Sequence, residues 1–241
     1  MKLTTISLAF LAVPLIVACS NDPLEPGEGN DPGAGTSTLL VEGNATAEAR
    51  MPNAKVSTDF TTEFSVHIQL NGQDVVTGAT VTVQSLNAMT TLTFNMGAGN
   101  GGRWEGMAAN YDESYRLDVV SGADKVTGVI VDGPSLHSFT APMQGAALDS
   151  TMMIPVKWDR EEAAETATIR VGDLDRLTID DNGTYNLPPN TLRAEKDKTR
   201  ENTIELRRSN HVVPGGAVAG SSFSVSIEND LDVIALANPA L

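Results

Sequence analysis

The 241-residue chain has a single cysteine, Cys19, about half as many basic as acidic side chains, and no long apolar run. One cysteine excludes an internal disulfide and a thiolate metal cluster, so stability has to come from buried apolar surface. Sixteen basic against 31 acidic residues give a formal net charge of −15. Phosphate backbones repel such a chain, so we expect no nucleic-acid partner and interpret the charge as a solubility feature. The length suffices for two ordinary domains or one large sandwich.

The N-terminus has the plan of a secretory signal. One charged residue, Lys2, precedes an apolar run over residues 6–18, and a small residue, Ala18, ends it. The run is too short for a membrane-spanning helix, which needs about 20 apolar residues, and Pro14 interrupts it. We therefore predict a cleaved signal peptide over residues 1–18.

The end of this signal, Ile16-Val17-Ala18-Cys19, resembles a bacterial lipobox. The resemblance implies that the sulfur of Cys19 takes a diacylglycerol and that Cys19 becomes the mature N-terminus, anchored in a membrane. Ser20 follows the cysteine, where an aspartate would be a retention signal, and this implies the outer membrane. An ordinary cleaved signal is the alternative, since Ala18 alone satisfies the small-residue rule. The covalent lipid is the only cofactor we expect.

Residues 19–38 comprise the lipidated N-terminus and a segment with no periodic apolar pattern, in which prolines alternate with glycines. This composition predicts a disordered linker between the membrane and the folded part.

From residue 39 the pattern is that of β-strands. Between Phe64 and Leu70, apolar residues alternate with Ser65, His67 and Gln69, and Asn71-Gly72 supplies a tight hairpin turn. Six more strands are predicted at residues 79–86, 90–96, 103–107, 115–120, 125–131 and 136–140. No helical stripe is long enough for a βαβ crossover, so we predict an all-β sandwich.

Three segments, residues 76–83, 102–106 and 115–119, resemble strands of bacterial immunoglobulin-like and prealbumin-like modules. The resemblance covers residues 60–142 and implies a module that spaces, displays or binds, with no catalytic residues. Tyr115 is then a candidate tyrosine corner, with its hydroxyl bonded to backbone. We predict a first sandwich domain over residues 39–142.

The second half, residues 143–241, shows the same alternation and is predicted to form a second immunoglobulin-like domain. Its strands are expected at residues 154–158, 167–171, 177–179, 204–206 and 223–227, with Ser222, Ser224 and Ser226 on the wet face. One or two helical turns are expected within residues 191–201, and residues 231–241 are expected to pack as a final strand.

Candidate sites for chemistry are weak. The sequence of residues 97–102 matches G-x-G-x-x-G, but a strand pattern follows it, so we interpret it as a hairpin loop. The carboxylates of Asp173, Asp175, Asp180 and Asp181 are candidate calcium ligands, although Asp-Asn-Gly is also an ordinary turn. The three histidines, His67, His137 and His211, lack metal-ligand spacing.

The one basic concentration includes Arg207 and Arg208, and interleaved acidic residues favour a salt-bridged face over a lipid-binding patch. Taken together, the patterns predict a non-catalytic cell-envelope lipoprotein with a binding or structural role. An envelope hydrolase or metal-dependent enzyme with a loop-built site is the alternative, and a subunit that offers strand edges to a partner is a third.

Overall fold

The structure, a computed structural model, describes Leu24 and residues 29–97, 101–172 and 174–241. It is all-β, as predicted, with a single 3₁₀ turn at Ser57–Asp59. The strands, numbered in chain order, are β1 Ala34–Gly35, β2 Leu39–Ala49, β3 Phe60–Leu70, β4 Gln73–Asp74, β5 Ala79–Ser85, β6 Met89–Thr91, β7 Thr93–Asn95, β8 Arg103–Ala108, β9 Ser114–Ser121, β10 Asp124–Asp132, β11 Phe139–Ala141, β12 Ala147–Leu148, β13 Ile154–Trp158, β14 Thr166–Val171, β15 Leu177–Ile179, β16 Thr184–Leu187, β17 Arg200–Val212 and β18 Ser222–Ala235.

One large sheet of ten strands is covered on one face by two smaller sheets. Its strand order is β15-β14-β17-β18-β2-β3-β8-β7. Two short strands lie off this path: β12 pairs with β18, and β4 pairs with β3. A five-stranded sheet, β1-β10-β9-β5-β6, lies over one end, and a three-stranded sheet, β11-β13-β16, lies over the other. The result is two sandwiches that share one sheet, which we call the long sheet.

Each sandwich has its own apolar core. In the first, Phe64 and Val66 of the long sheet pack with Leu117 and Val119 of the five-stranded sheet. In the second, Val156 and Trp158 of the three-stranded sheet are among the residues that pack opposite the long sheet. Burying a side chain of this size contributes about 1.5–3 kcal/mol, so the facing apolar rows hold the layers together.

Strand β18 contributes to both cores. Successive side chains of a strand point to opposite faces, so the odd-numbered residues of β18 all lie on the inner face of the long sheet. The first of these, Phe223, Val225 and Ile227, lie in the first core, whereas Leu231 and Val233 lie in the second. The cores are therefore not built from two consecutive segments, and the boundary predicted near residue 142 does not separate them cleanly.

At one side of the first sandwich, the chain crosses from the five-stranded sheet to the long sheet between two consecutive short strands. Strand β6 pairs with β5 in the five-stranded sheet, and β7 pairs with β8 in the long sheet. Leu92, between them, is buried, and its backbone N–H donates to the Val81 carbonyl at 2.8 Å. The single strand predicted over residues 90–96 is thus two short ones.

Tyr115 makes the backbone contact predicted for a tyrosine corner. Its ring is fully buried, and its hydroxyl accepts a hydrogen bond from the Asp112 backbone N–H at 2.8 Å. Burial raises the pKa of Tyr115 to about 12, so the hydroxyl stays protonated.

Part of the segment predicted to be a disordered linker is ordered. Residues 29–36 run along β10, where Asp31 exchanges backbone hydrogen bonds with Ile130 and Ala34 pairs with Thr127. Gly33 permits this close approach, because at its φ of 66° a Cβ would lie 2.3 Å from the Thr127 carbonyl oxygen. Of the rest of the linker, residues 19–23 and 25–28 lie outside the described residues, Leu24 is buried, and Ser37 and Thr38 lead into β2.

Two expectations for the second half are wrong in detail. Residues 191–199 contain no helical turn, because Arg193 is instead tied by a hydrogen bond from its backbone N–H to the Asn202 side chain at 2.8 Å. The final strand ends at Ala235, not at the C-terminal residue. Ser222 and Ser224 are half-buried and alternate with the buried Phe223 and Val225, as predicted, but Ser226 is itself buried, so its expected place on the wet face is wrong.

Candidate functional site

A concave surface lies on the outer face of the long sheet, opposite the first core. We call it the outer groove; its volume is about 530 Å³. It is lined by residues of β2, β3, β8 and β17, namely Asn44, Thr46, Glu48, Glu63, Phe64, Ser65, Glu105, Gly106, Met107 and Arg207.

Strand register places three carboxylates in a diagonal line across the outer groove. Thr46 pairs with Glu63 across β2 and β3, and Ser65 pairs with Glu105 across β3 and β8. Glu48, Glu63 and Glu105 therefore occupy successive diagonal positions, which lie about 7–8 Å apart between neighbouring strands. Short side chains between them, such as Thr46 and Ser65, leave the surface concave.

The carboxylates of the outer groove are largely uncompensated. Glu48 and Glu63 are exposed, and within the described chain neither has an ion-pair partner. Glu105 accepts a hydrogen bond from the Asn95 side chain at 2.8 Å. The one cation of the lining, Arg207, donates from Nε to Glu228 at 2.6 Å, so its charge is already neutralised. The groove thus presents net negative charge.

An ionic network continues from Arg207 along the outer face. Arg176 donates from Nη2 to both Glu205 and Glu228, at 3.0 and 2.8 Å, and Arg170 donates from Nε to Glu205 at 2.8 Å. Burial raises the pKa of the Glu228 carboxyl, but Arg207 and Arg176 outweigh it, so the net shift is downward. The Glu228 carboxylate is therefore held ionised and paired with both arginines.

Asp230 sits beside this network without a cation. Burial and the neighbouring charges of Glu205 and Glu228 raise its pKa to about 6. One oxygen each of Glu205, Glu228 and Asp230 lie within 4.8 Å of one another, and of the described residues they are the one set so placed that could hold a metal ion. Because guanidinium groups already bond two of the three, the site offers a cation little negative charge.

A second polar cluster is buried between the two cores; we call it the interlobe layer. Arg208 is fully buried, and its Nε donates to Asp181 at 2.9 Å. Its other nitrogens donate to the Ser135 and Glu162 backbone carbonyls. Burial raises the pKa of Asp181, yet hydrogen bonds from Ala164 and Arg208 outweigh it and hold the pKa low.

Asn229 and His137 complete the interlobe layer. The Asn229 amide donates to the backbone carbonyls of Ala54 and His137, both at 2.8 Å. Burial, assisted by the charge of Arg208, lowers the pKa of His137 to about 3. His137 is therefore neutral at physiological pH, and this buried cluster serves cohesion between the cores, since no side chain in it is open to a substrate.

His67 lies on the outer face of the long sheet between two carboxylates. Its Nδ1 contacts Glu42 at 3.1 Å and its Nε2 contacts Asp74 at 3.0 Å. Burial lowers the pKa of His67, but the hydrogen bonds to Glu42 and Asp74 prevail, so the net shift is upward. The two carboxylates approach opposite ring nitrogens, so no single ion contacts all three groups.

The predicted site residues do not assemble into one centre. Cys19, the signal peptide and Asp173 lie outside the described residues. Asp175 and Asp180 are exposed, whereas Asp181 is committed to Arg208 in the interlobe layer. The glycine-rich segment 97–102 connects β7 to β8, whose antiparallel pairing confirms a hairpin and not a helix start.

Sequence reasoning missed the outer groove and the interlobe layer. Arg207 and Arg208 were grouped in one basic run, but neighbouring residues of a strand face opposite ways, so Arg207 lines the groove while Arg208 is buried. The alternation of faces along a strand could have revealed this, since Arg208 lies at the same alternate positions of β17 as the buried Ile204 and Leu206. The alignment of Glu48, Glu63 and Glu105 depends on strand register, which the sequence alone does not specify.

No protein-family model matches the chain, and no curated protein sequence is significantly similar to it. Among the described residues, no helix has the length and apolar character needed to cross a membrane.

Proposed function

We propose that the chain is a non-catalytic lipoprotein of the cell envelope, anchored in the outer membrane through lipid on Cys19. Its two immunoglobulin-like lobes serve a binding or structural role. The observation that carries the binding role is the outer groove, in which Glu48, Glu63 and Glu105 are held uncompensated on rigid strands. Charge complementarity favours a partner that brings basic groups to this face.

The distribution of titratable groups supports a role without catalysis. The histidine with the strongest shift, His137, lies in the interlobe layer, away from any groove. Both ring nitrogens of His67 are engaged by carboxylates, and Nδ1 of the exposed His211 contacts Glu165 at 2.5 Å. A general base needs a reacting group within hydrogen-bond reach, and among the described residues none of the three imidazoles hydrogen-bonds a nucleophilic side chain.

The immunoglobulin-like interpretation of the lobes is supported by two features. Two facing sheets, whose strands pair mostly antiparallel, enclose each core, and the hydroxyl of Tyr115 binds backbone as in a tyrosine corner. The parallel pairing of β18 with β2 joins the lobes through one sheet, so we expect them to act as a single rigid display unit.

Site-specific photo-crosslinking in cells tests the binding role. A crosslinking amino acid at Ser65, in the outer groove, should form a defined adduct, whereas one at Thr80, exposed on the five-stranded sheet, should not. The adduct should disappear when Glu48, Glu63 and Glu105 are all replaced by glutamine. Equal adducts from both positions, or an adduct that survives the triple substitution, would count against the groove.

The metal-dependent alternative is favoured by one observation, the proximity of Glu205, Glu228 and Asp230. Its test is the melting temperature of the protein with and without millimolar Ca²⁺ or Zn²⁺. We expect no rise, because two of the three carboxylates already bond arginines. A rise that Asp230→Asn abolishes would favour the alternative; the same titration also tests the calcium candidates Asp175, Asp180 and Asp181.

A further inference from the structure

The methionines in the described part of the chain lie on its surface. Methionine is normally among the more buried residue types, yet none belongs to the buried apolar residues described. Seven of the eight methionines fall in the described chain, and their exposed fractions run from 53% to 73%. They are Met51, Met89, Met96, Met107, Met143, Met152 and Met153.

These side chains do not form one docking patch. Exposed methionines serve as adaptable binding surfaces when they are contiguous. Here Met89 begins the edge strand β6 of the five-stranded sheet, and Met107 lies on the outer face of the long sheet. Met143 and Met152 lie in connections of the second lobe, before and after β12. The set is spread over both lobes, so a single partner does not explain it.

The cores, by contrast, contain no methionine among the described residues. They are built mainly from aliphatic side chains, and the two tryptophans, Trp104 and Trp158, are buried. A peroxide that reaches the described surface therefore meets thioether sulfur before it meets indole. Sulfoxide formation adds a polar oxygen, which disrupts a core but costs little at an exposed position.

We propose that the seven exposed methionines are a set of reversible oxidation sites, through which the folded chain takes up oxygen from peroxides without losing its structure. In each step the thioether sulfur attacks one peroxide oxygen, the O–O bond breaks, and an S–O bond forms. The sulfur is oxidised by two electrons to the sulfoxide, and hydrogen peroxide is reduced to water. Methionine sulfoxide reductases for the two epimers reverse the step at the expense of a thiol. This inference does not depend on the proposed binding role.

The test is peptide mapping by mass spectrometry of the full chain after graded hydrogen peroxide. All seven methionines should convert at rates within about fivefold of one another, and the melting temperature should change by less than about 2 °C. Treatment with both reductases should restore the original masses. A matched control, Leu206→Met, places a methionine in the second core at nearly constant volume, and it should oxidise at least about tenfold more slowly.

Two results would overturn the proposal. One is that several of the seven methionines resist oxidation as strongly as the Leu206→Met control does. The other is that complete oxidation unfolds the protein. Changing the six methionines outside the outer groove, all but Met107, to leucine should abolish sulfoxide formation in their peptides while leaving adduct formation at Ser65 intact, which separates this proposal from the binding role.

Discussion

Breaking the ion pair between Arg208 and Asp181 should destabilise the protein more than any change on its outer face. Both side chains are buried, at 0% and 2% exposure, and their charged atoms lie 2.9 Å apart. Asp181→Ala leaves the guanidinium of Arg208 buried without a counter-charge, which costs about 3–5 kcal/mol. It also removes the acceptor of the Trp158 indole N–H and of the Ala164 backbone N–H, so the upper end of this range is expected.

Equilibrium urea denaturation, followed by tryptophan fluorescence, measures this cost. Trp104 lies in the first core and Trp158 in the second, so variants that retain one tryptophan each report on one core. In the otherwise native protein the two transitions should coincide, because the interlobe layer and the long sheet couple the cores. When Asp181→Ala is added to both variants, the one that retains Trp104 and reports on the first core should unfold at a higher urea concentration. The one that retains Trp158 and reports on the second core should unfold at a lower urea concentration.

The matched control is Arg207→Met, one residue along β17. Its guanidinium is one-third exposed and bonded to Glu228, so its loss should cost no more than about 1 kcal/mol. The double variant Arg208→Met with Asp181→Leu removes both buried charges and should be more stable than Asp181→Ala alone. A cost below 1 kcal/mol for Asp181→Ala, or a double variant that is less stable still, would refute the reasoning.

Three further predictions concern pH and the ordered linker. The pKa of Asp230 is raised in the folded state, so its contribution to stability falls as pH rises from about 4 to about 6. Asp230→Asn should therefore raise the melting temperature at pH 7.5 and not at pH 3.5. A gain at both pH values would contradict this. The pKa of His67 is also raised in the folded state, so the stabilisation that it gives the protein is complete below about pH 6.5 and lost at higher pH. His67→Gln should therefore lower the melting temperature at pH 5.5 and hardly change it at pH 9. Equal losses at the two pH values would count against this. Gly33→Ala should release residues 29–36 from β10, seen as faster amide exchange. Gly29→Ala introduces the same positive-φ strain, at a φ of 82°, but its Cβ meets no atom within 4 Å, so it should speed exchange less; equal exchange in the two variants would contradict the packing argument.

Much of the fold could be predicted from period-two alternation. The pattern of Phe64 to Leu70 and of Phe223 to Ile227 marks which face of each strand is buried, because side chains alternate strictly along a strand. Alternation carries no information on which strands pair. It therefore did not reveal that β18 runs parallel to β2 and extends from one core into the other.

The missed features follow from long-range contacts. Residues 29–36 have the composition of a linker, yet Gly33 allows their backbone to pair with β10, about a hundred positions away. The local composition of residues 191–201 predicts one or two helical turns, but the Asn202 side chain bonds Arg193 at both its backbone N–H and its carbonyl. In both cases tertiary hydrogen bonds override a local preference.

The candidate site was predictable only in kind. The acidic composition predicts surfaces of net negative charge, and the outer groove is one of them. The individual residues were not predictable, because Glu48, Glu63 and Glu105 come from three strands and align only through the register of the long sheet.

Metabolic labelling with a palmitate analogue in a bacterial host tests the central claim most directly. The account predicts that label is incorporated into the mature chain, that its N-terminal residue is Cys19, and that Cys19→Ser abolishes both the label and the membrane association. A mature chain that begins at another residue, or one that begins at Cys19 and carries no lipid, would contradict the claim.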